Sequence, residues 1–98
     1  MRRAARTDSN HSEMVDEFRR LGCSVLSLAA LGKGVPDLLV AVQGITWLVE
    51  IKSGKGKENS IQLEWAESWQ GARAVVRDIQ GAETVVKLMR SFPKIGHG

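Results

Sequence analysis

Pro36-Asp37 and, thirteen residues on from Asp37, Glu50-Ile51-Lys52 place two carboxylates and an amine at either end of a short apolar stretch. Leu38-Leu39-Val40-Ala41-Val42 and Ile45-Thr46-Trp47-Leu48-Val49-Glu50-Ile51 are rich in β-branched and aromatic residues and read as strands. Gln43-Gly44 between them supplies glycine where a two-residue hairpin needs a positive φ. If Val42 pairs with Ile45, carrying the register outward sets Asp37 opposite Glu50. Directly opposed residues share a face, with Cβ atoms roughly 4.5–5.5 Å apart. Strand alternation returns Lys52 to that face.

Two carboxylates at about 5 Å repel by roughly 3 kcal/mol at an effective dielectric of about 20. Protonation of one, pairing with a cation, or a metal ion between them relieves the repulsion. A hard divalent ion such as Mg²⁺ suits a carboxylate pair completed by waters and a substrate phosphate. The chemistry that follows is metal-dependent phosphodiester hydrolysis. The competing reading is a structural ion pair in which Lys52 bridges both acids.

At 98 residues the chain is expected to form a single domain, residues 1–98, with a basic, frayed arm at 1–8 and a loose tail at 91–98. A chain this small has a modest core, and a homodimer would add buried area. The net charge of +3 favours a polyanionic partner. Arg2, Arg3 and Arg6 cluster at the start, while Lys52, Lys55 and Lys57 follow the hairpin, where a phosphate backbone would need neutralising. Lys33, just ahead of Asp37, joins the candidate nucleic-acid contacts. The single Cys23 excludes an intrachain disulfide framework and fits a reducing cytoplasm as an ordinary buried thiol. One cysteine and two histidines argue against structural zinc. No apolar run approaches a membrane span, and the basic start leads into polar residues rather than a signal peptide. A soluble cytoplasmic protein without an organic cofactor is expected.

The elements that must carry the trio follow from periodicity and stop signals. A first helix is expected from about Ser9 to Leu21, capped by Asp8 or Ser9, stopped by Gly22, with Met14, Val15, Phe18 and Leu21 inward. Cys23–Ala29 reads as a strand, and Gly32-Lys33-Gly34 as a flexible connection. After the hairpin, a polar loop spans 53–59. A second helix is expected from Ser60 to Gly71, with Ile61, Trp65, Ala66 and Trp69 inward, then a strand over Ala72–Arg77 and a helix from Gly81 to Arg90. The order α-β-β-β-α-β-α makes an α/β domain with one mixed sheet flanked by helices. Leu38, Val40, Val42, Ile45, Trp47, Val49 and Ile51 face one way. Leu39, Ala41 and Leu48 face the other way with the polar trio, so the hairpin is expected to lie between two layers.

A helix, then Gly34-Val35-Pro36-Asp37-Leu38, Glu50-Ile51-Lys52 and Gln62 resembles the PD-(D/E)XK nuclease superfamily, and more closely the small stand-alone VRR-NUC domains of phages and bacteria. The similarity covers about Asn10 to Val86 and implies a restriction-endonuclease-like core. It implies Asp37 and Glu50 as ligands of Mg²⁺ or Mn²⁺, the Ile51 carbonyl completing the protein's share, Lys52 managing the attacking water, and Gln62 bracing the site. It also implies a homodimeric endonuclease cutting branched DNA, such as Holliday junctions, to leave 5′-phosphates. A nicking or flap endonuclease and a catalytically silent basic DNA-binding module are the alternatives. Gln62 has a second reading, because Asn59-Ser60-Ile61-Gln62 fits a capping box. The superfamily's usual helix-one acid has no clear counterpart. At 100° per residue His11 falls on the inward face, Asn10 at its border, Glu17 perpendicular and Glu13 away. His11 or Asn10 is therefore the candidate further ligand, with Glu13 in reserve should the helix be rotated. His11 also reads as a capping or packing residue. Trp65 and Trp69 could stack on bases, but fit the core or a dimer interface better.

Overall fold

A computed structural model describes residues 9–93. Arg2, Arg3, Arg6 and Asp8 lie outside them, as do the last five residues of the expected tail. The described chain is α/β: α1 (His11–Arg20), β1 (Ser24–Ser27), a 3₁₀ turn (Ala29–Leu31), β2 (Leu38–Val42), β3 (Ile45–Ile51), α2 (Ser60–Ser68), β4 (Arg73–Val76) and α3 (Ile79–Arg90). The four strands lie in chain order in one mixed sheet. β1, β2 and β3 are antiparallel neighbours, and β4 joins β3 in parallel after the α2 crossover.

The hairpin has the expected register, with Val42 opposite Ile45 and Leu38 opposite Val49. Both turn residues, Gln43 (φ 56°) and Gly44 (φ 83°), are left-handed, so the turn needs more than the glycine. Arg90 helps hold it by donating to the Gln43 amide oxygen at 2.8 Å. Met14 and Phe18 of α1, and Ala82, Val85, Val86 and Met89 of α3, close over Leu38, Val40, Val42, Val49, Ile51 and Val76. That face of the sheet is sealed.

The other face is less covered than the two-layer expectation. Leu48 is buried, Leu39 and Ala41 are half-buried, and Thr46 is exposed. α2 has no buried residue at all. Of its expected inward stripe, Trp65 and Ala66 are half-buried but Ile61 is 57% and Trp69 44% exposed, and Trp65 stacks on Trp69 with ring centroids 5.1 Å apart. Trp69 takes an extended backbone, so α2 ends before it and never reaches Gly71. What α2 meets is the Gly32–Val35 loop. A Cβ on Gly34 would lie 2.6 Å from the Ile61 carbonyl oxygen.

Three other boundaries shift for local reasons. α1 starts at His11 with Asn10 as a cap whose side chain makes no capping bond. β1 stops at Ser27 because, after one last in-register bond from the Leu28 amide to the Asp37 carbonyl, a 3₁₀ turn begins at Ala29. α3 starts two residues before Gly81 because Asp78 caps it, its carboxylate accepting the Gly81 amide at 2.7 Å. Phe92, expected in the tail, instead sets its ring edge-on to Trp47. No helix among the described residues is long and apolar enough to cross a membrane.

Candidate metal centre

Asp37 sits one residue before β2, where the ladder to β3 has just ended. Its carboxylate replaces the missing backbone partner: Asp37 Oδ2 accepts the Ile51 amide at 2.8 Å. Its backbone carbonyl accepts the Leu28 amide. The side chain is thus held at the end of the hairpin, on the β3 residue that follows Glu50. Pro36 and Asp37 are both buried.

Glu50 is buried to 2% exposure on β3. Burial first, and then the neighbouring Asp37 carboxylate, push its carboxyl up to about 8, against the weaker pull of Lys52 and Arg73. Oε2 accepts the Gln62 amide nitrogen at 2.8 Å. Oε1 is buried with no hydrogen-bond partner among the described residues. A buried carboxylate oxygen left without a donor costs free energy unless a proton or a cation meets it.

Lys52 Nζ stands 3.9 Å from Glu50 Oε2, beyond hydrogen-bonding range. No ion pair joins it to Asp37 among the described residues, so the geometry is not that of a lysine bridging both acids. Gln62 serves two purposes at once. Its Oε1 accepts the Asn59 amide at 3.0 Å and its backbone amide donates to Asn59 Oδ1 at 2.9 Å, completing the capping box. Its Nε2 remains for Glu50. The cap that starts α2 therefore also aims the amide at the acid.

Asn10 and His11 are placed otherwise than as a further ligand. Asn10 Nδ2 donates to the carbonyls of Arg77 (3.0 Å) and Lys52 (3.4 Å), and its Oδ1 accepts Ser53 Oγ at 3.0 Å. It ties the ends of β3 and β4 together beside the site. His11 Nδ1 is buried and unpartnered, and no group of three or more His, Cys, Asp and Glu side chains forms among the described residues. Glu17 is buried, but its carboxylate is taken by Arg20, and Glu13 is exposed.

Lys33, on the loop before β2, and Lys55 and Lys57, on the loop after β3, are exposed, and Lys33 lines a cavity together with Asp37. The 53–59 loop carrying two of them is clasped by residues that sequence reasoning missed. Arg77 donates to the carbonyls of Gly54 and Gly56, and Arg73 pairs with Glu58. Nothing in their types announces this beyond two arginines bracketing a short strand.

Mg²⁺ commonly takes one or two carboxylates and leaves the rest of its octahedron to waters and substrate phosphate. Asp37, Glu50 with its orphaned oxygen, and the Ile51 carbonyl fit that donor set. A scan against protein-family models finds no match, and a search of curated proteins finds none.

Proposed function

We propose that this chain is a Mg²⁺- or Mn²⁺-dependent DNA endonuclease with a restriction-endonuclease-like core of the PD-(D/E)XK type, acting as a homodimer on branched DNA such as four-way junctions. The observation that carries the reading is the buried Asp37–Glu50 pair, with an unpartnered Glu50 oxygen and the Lys52 amine beside it. Asp37, Glu50 and the Ile51 carbonyl would hold the ion. When bound, it makes water acidic enough to attack and offsets charge on the phosphoryl oxygens. Lys52 orients that water and faces the phosphate with its ammonium. Gln62 keeps Glu50 turned toward the ion, and Asn10 holds the backbone from which Lys52 projects. Hydrolysis breaks the P–O3′ bond and leaves a 5′-phosphate.

Paired cuts across a four-way junction need two sites, which a two-fold dimer supplies. Leu63 of α2 and Trp69 just past its end are exposed apolar residues, surface that a second copy would bury.

Cleavage of end-labelled junction, flap, duplex and single-stranded DNA, with Mg²⁺, Mn²⁺ or EDTA, tests the reading. Symmetric metal-dependent cuts on the junction are expected. Asp37→Ala, Glu50→Ala and Lys52→Ala should each lower the rate by at least about 100-fold while DNA binding persists, since each removes a group that acts at the phosphorus. Full activity in any of the three refutes the assignment. Binding without cutting on every substrate would leave a basic DNA-binding module.

A further inference from the structure

A cavity of about 210 Å³ opens between the 3₁₀ turn, the Gly32–Val35 loop and the start of α2. It is continuous with the acidic site, since Asp37 and Gln62 line both. Ala29, Val35 and Ile61 give it apolar walls, and exposed Lys33 stands at its edge. Nothing in the hairpin requires this space. The loop that bounds it holds Gly32, Lys33 and Gly34 at φ 62°, 55° and 85°, and the central residue of the three is not a glycine. A non-glycine residue kept in the left-handed region marks a conformation imposed by its surroundings rather than by local preference.

We infer that this cavity receives the base of the nucleotide adjoining the scissile phosphate, turned out of its stack, while Lys33 contacts that nucleotide's phosphate. The inference rests on the nuclease reading and adds a substrate-recognition site to it. The contents of the walls decide the ligand. A free anion would meet the Asp37 carboxylate with one lysine to oppose it, whereas a neutral base finds three apolar side chains. The volume lies below the roughly 300 Å³ at which pockets for drug-sized ligands begin, which leaves room for one base and excludes a base pair. An unpaired base at a branch point is the cheapest to turn out, so the cavity supplies a physical origin for branch preference.

The test uses junctions carrying 2-aminopurine at each position around the cut, bound by the non-cutting Lys52→Ala chain. One position next to the scissile phosphate is expected to brighten several-fold as its base unstacks. In the otherwise native chain, Ala29→Phe, which fills the cavity, should slow cleavage by about tenfold as the base loses its apolar contacts. Ile61→Trp narrows it from an exposed wall that tolerates change, and covers the case in which Ala29→Phe fails to fold. An abasic nucleotide at the bright position should slow the native chain equally and erase its advantage over both variants. If no position brightens, or if folded filled variants cut as fast as the native chain, the cavity is not a base site. A chain that cuts nothing overturns the nuclease reading and this inference together. Metal-dependent junction cutting without the cavity effects overturns this inference alone.

Discussion

At the scale of single residues, Glu50 is where the site's chemistry and the chain's stability meet. Its carboxyl is pushed up to about 8 by burial and by Asp37, against 4.5 for an unperturbed glutamate. Between those values the unfolded chain has released this proton while the folded chain retains it. Raising pH through that window therefore favours unfolding. The stability Glu50 contributes as a neutral acid is intact below about pH 4.5 and is lost as pH climbs toward 8. Glu17 is lowered by its bond to Arg20, so it acts at the acid end and in the opposite sense. Cys23 is raised from 9.0 by burial, so it acts above the window. In EDTA, the melting temperature should thus fall by at least about 5 °C from pH 5.5 to pH 8.5, given that one pKa unit is about 1.4 kcal/mol and 1 kcal/mol moves a domain of this size by about 4–8 °C. Mg²⁺, which competes with the proton, should restore more of that loss at the high end. Glu50→Gln should flatten the curve. Differential scanning calorimetry showing a level profile in the native chain, or the same slope in the variant, would refute this account of the pair.

At the scale of elements, α2 is started by its own N-terminal cap and held to the protein by the Gln62–Glu50 bond and the close approach of Gly34. The two left-handed glycines Gly34 and Gly54 separate backbone strain from contact. An alanine at either carries a left-handed penalty of about 1–2 kcal/mol. At Gly54 a Cβ meets nothing within 4 Å, whereas at Gly34 it lies 2.6 Å from the Ile61 carbonyl and 3.0 Å from Trp65 Cβ. Gly54→Ala should lower the melting temperature modestly and leave cleavage intact. Gly34→Ala should destabilise further and cut cleavage by tenfold or more, because pushing α2 away withdraws Gln62 from Glu50. Equal effects from the two would mean that α2 does not position the acid. The same elements show what was legible in the sequence. Hairpin register is counting, so the placement of Asp37 beside the end of β3 and of Lys52 beside Glu50 could be worked out in advance. The double use of Gln62 was open too, since an amide has one acceptor for the cap and one donor for the acid. Asn10 was not legible: a rotation of 100° per residue holds only inside a helix, and Asn10 is a cap at φ −97°, ψ 15°, whose direction the helical wheel does not govern. The α2 stripe misled because apolar spacing indicates which side of a helix could be buried, not whether the fold brings anything to cover it.

At the scale of the whole molecule, a net charge of +3 is too small to bind a polyanion by itself, so where the cations stand matters more than their sum. Lys55 and Lys57 project from a loop that Arg77 pins through the Gly54 and Gly56 carbonyls, and Lys33 lines the cavity that Asp37 also lines. If the nuclease reading holds, exposed lysines on the loops before β2 and after β3 are expected to carry the strand to the carboxylates. Affinity alone would not establish that path, because losing any positive charge weakens binding to DNA somewhat. The salt dependence discriminates: each phosphate contact displaces counterions and contributes about 0.9 to the slope of log K against log salt on duplex DNA. Replacing Lys55 and Lys57 together by alanine should reduce the slope magnitude by about 1.8, weaken binding to all sequences alike, and leave the melting temperature within about 2 °C, since neither side chain takes part in an ion pair among the described residues. Arg77→Ala keeps both lysines and frees their loop, so its slope should fall by less while affinity still drops. If the double variant retains the native slope, the lysines are solvated bystanders, and the strand must reach Asp37 and Glu50 by another route.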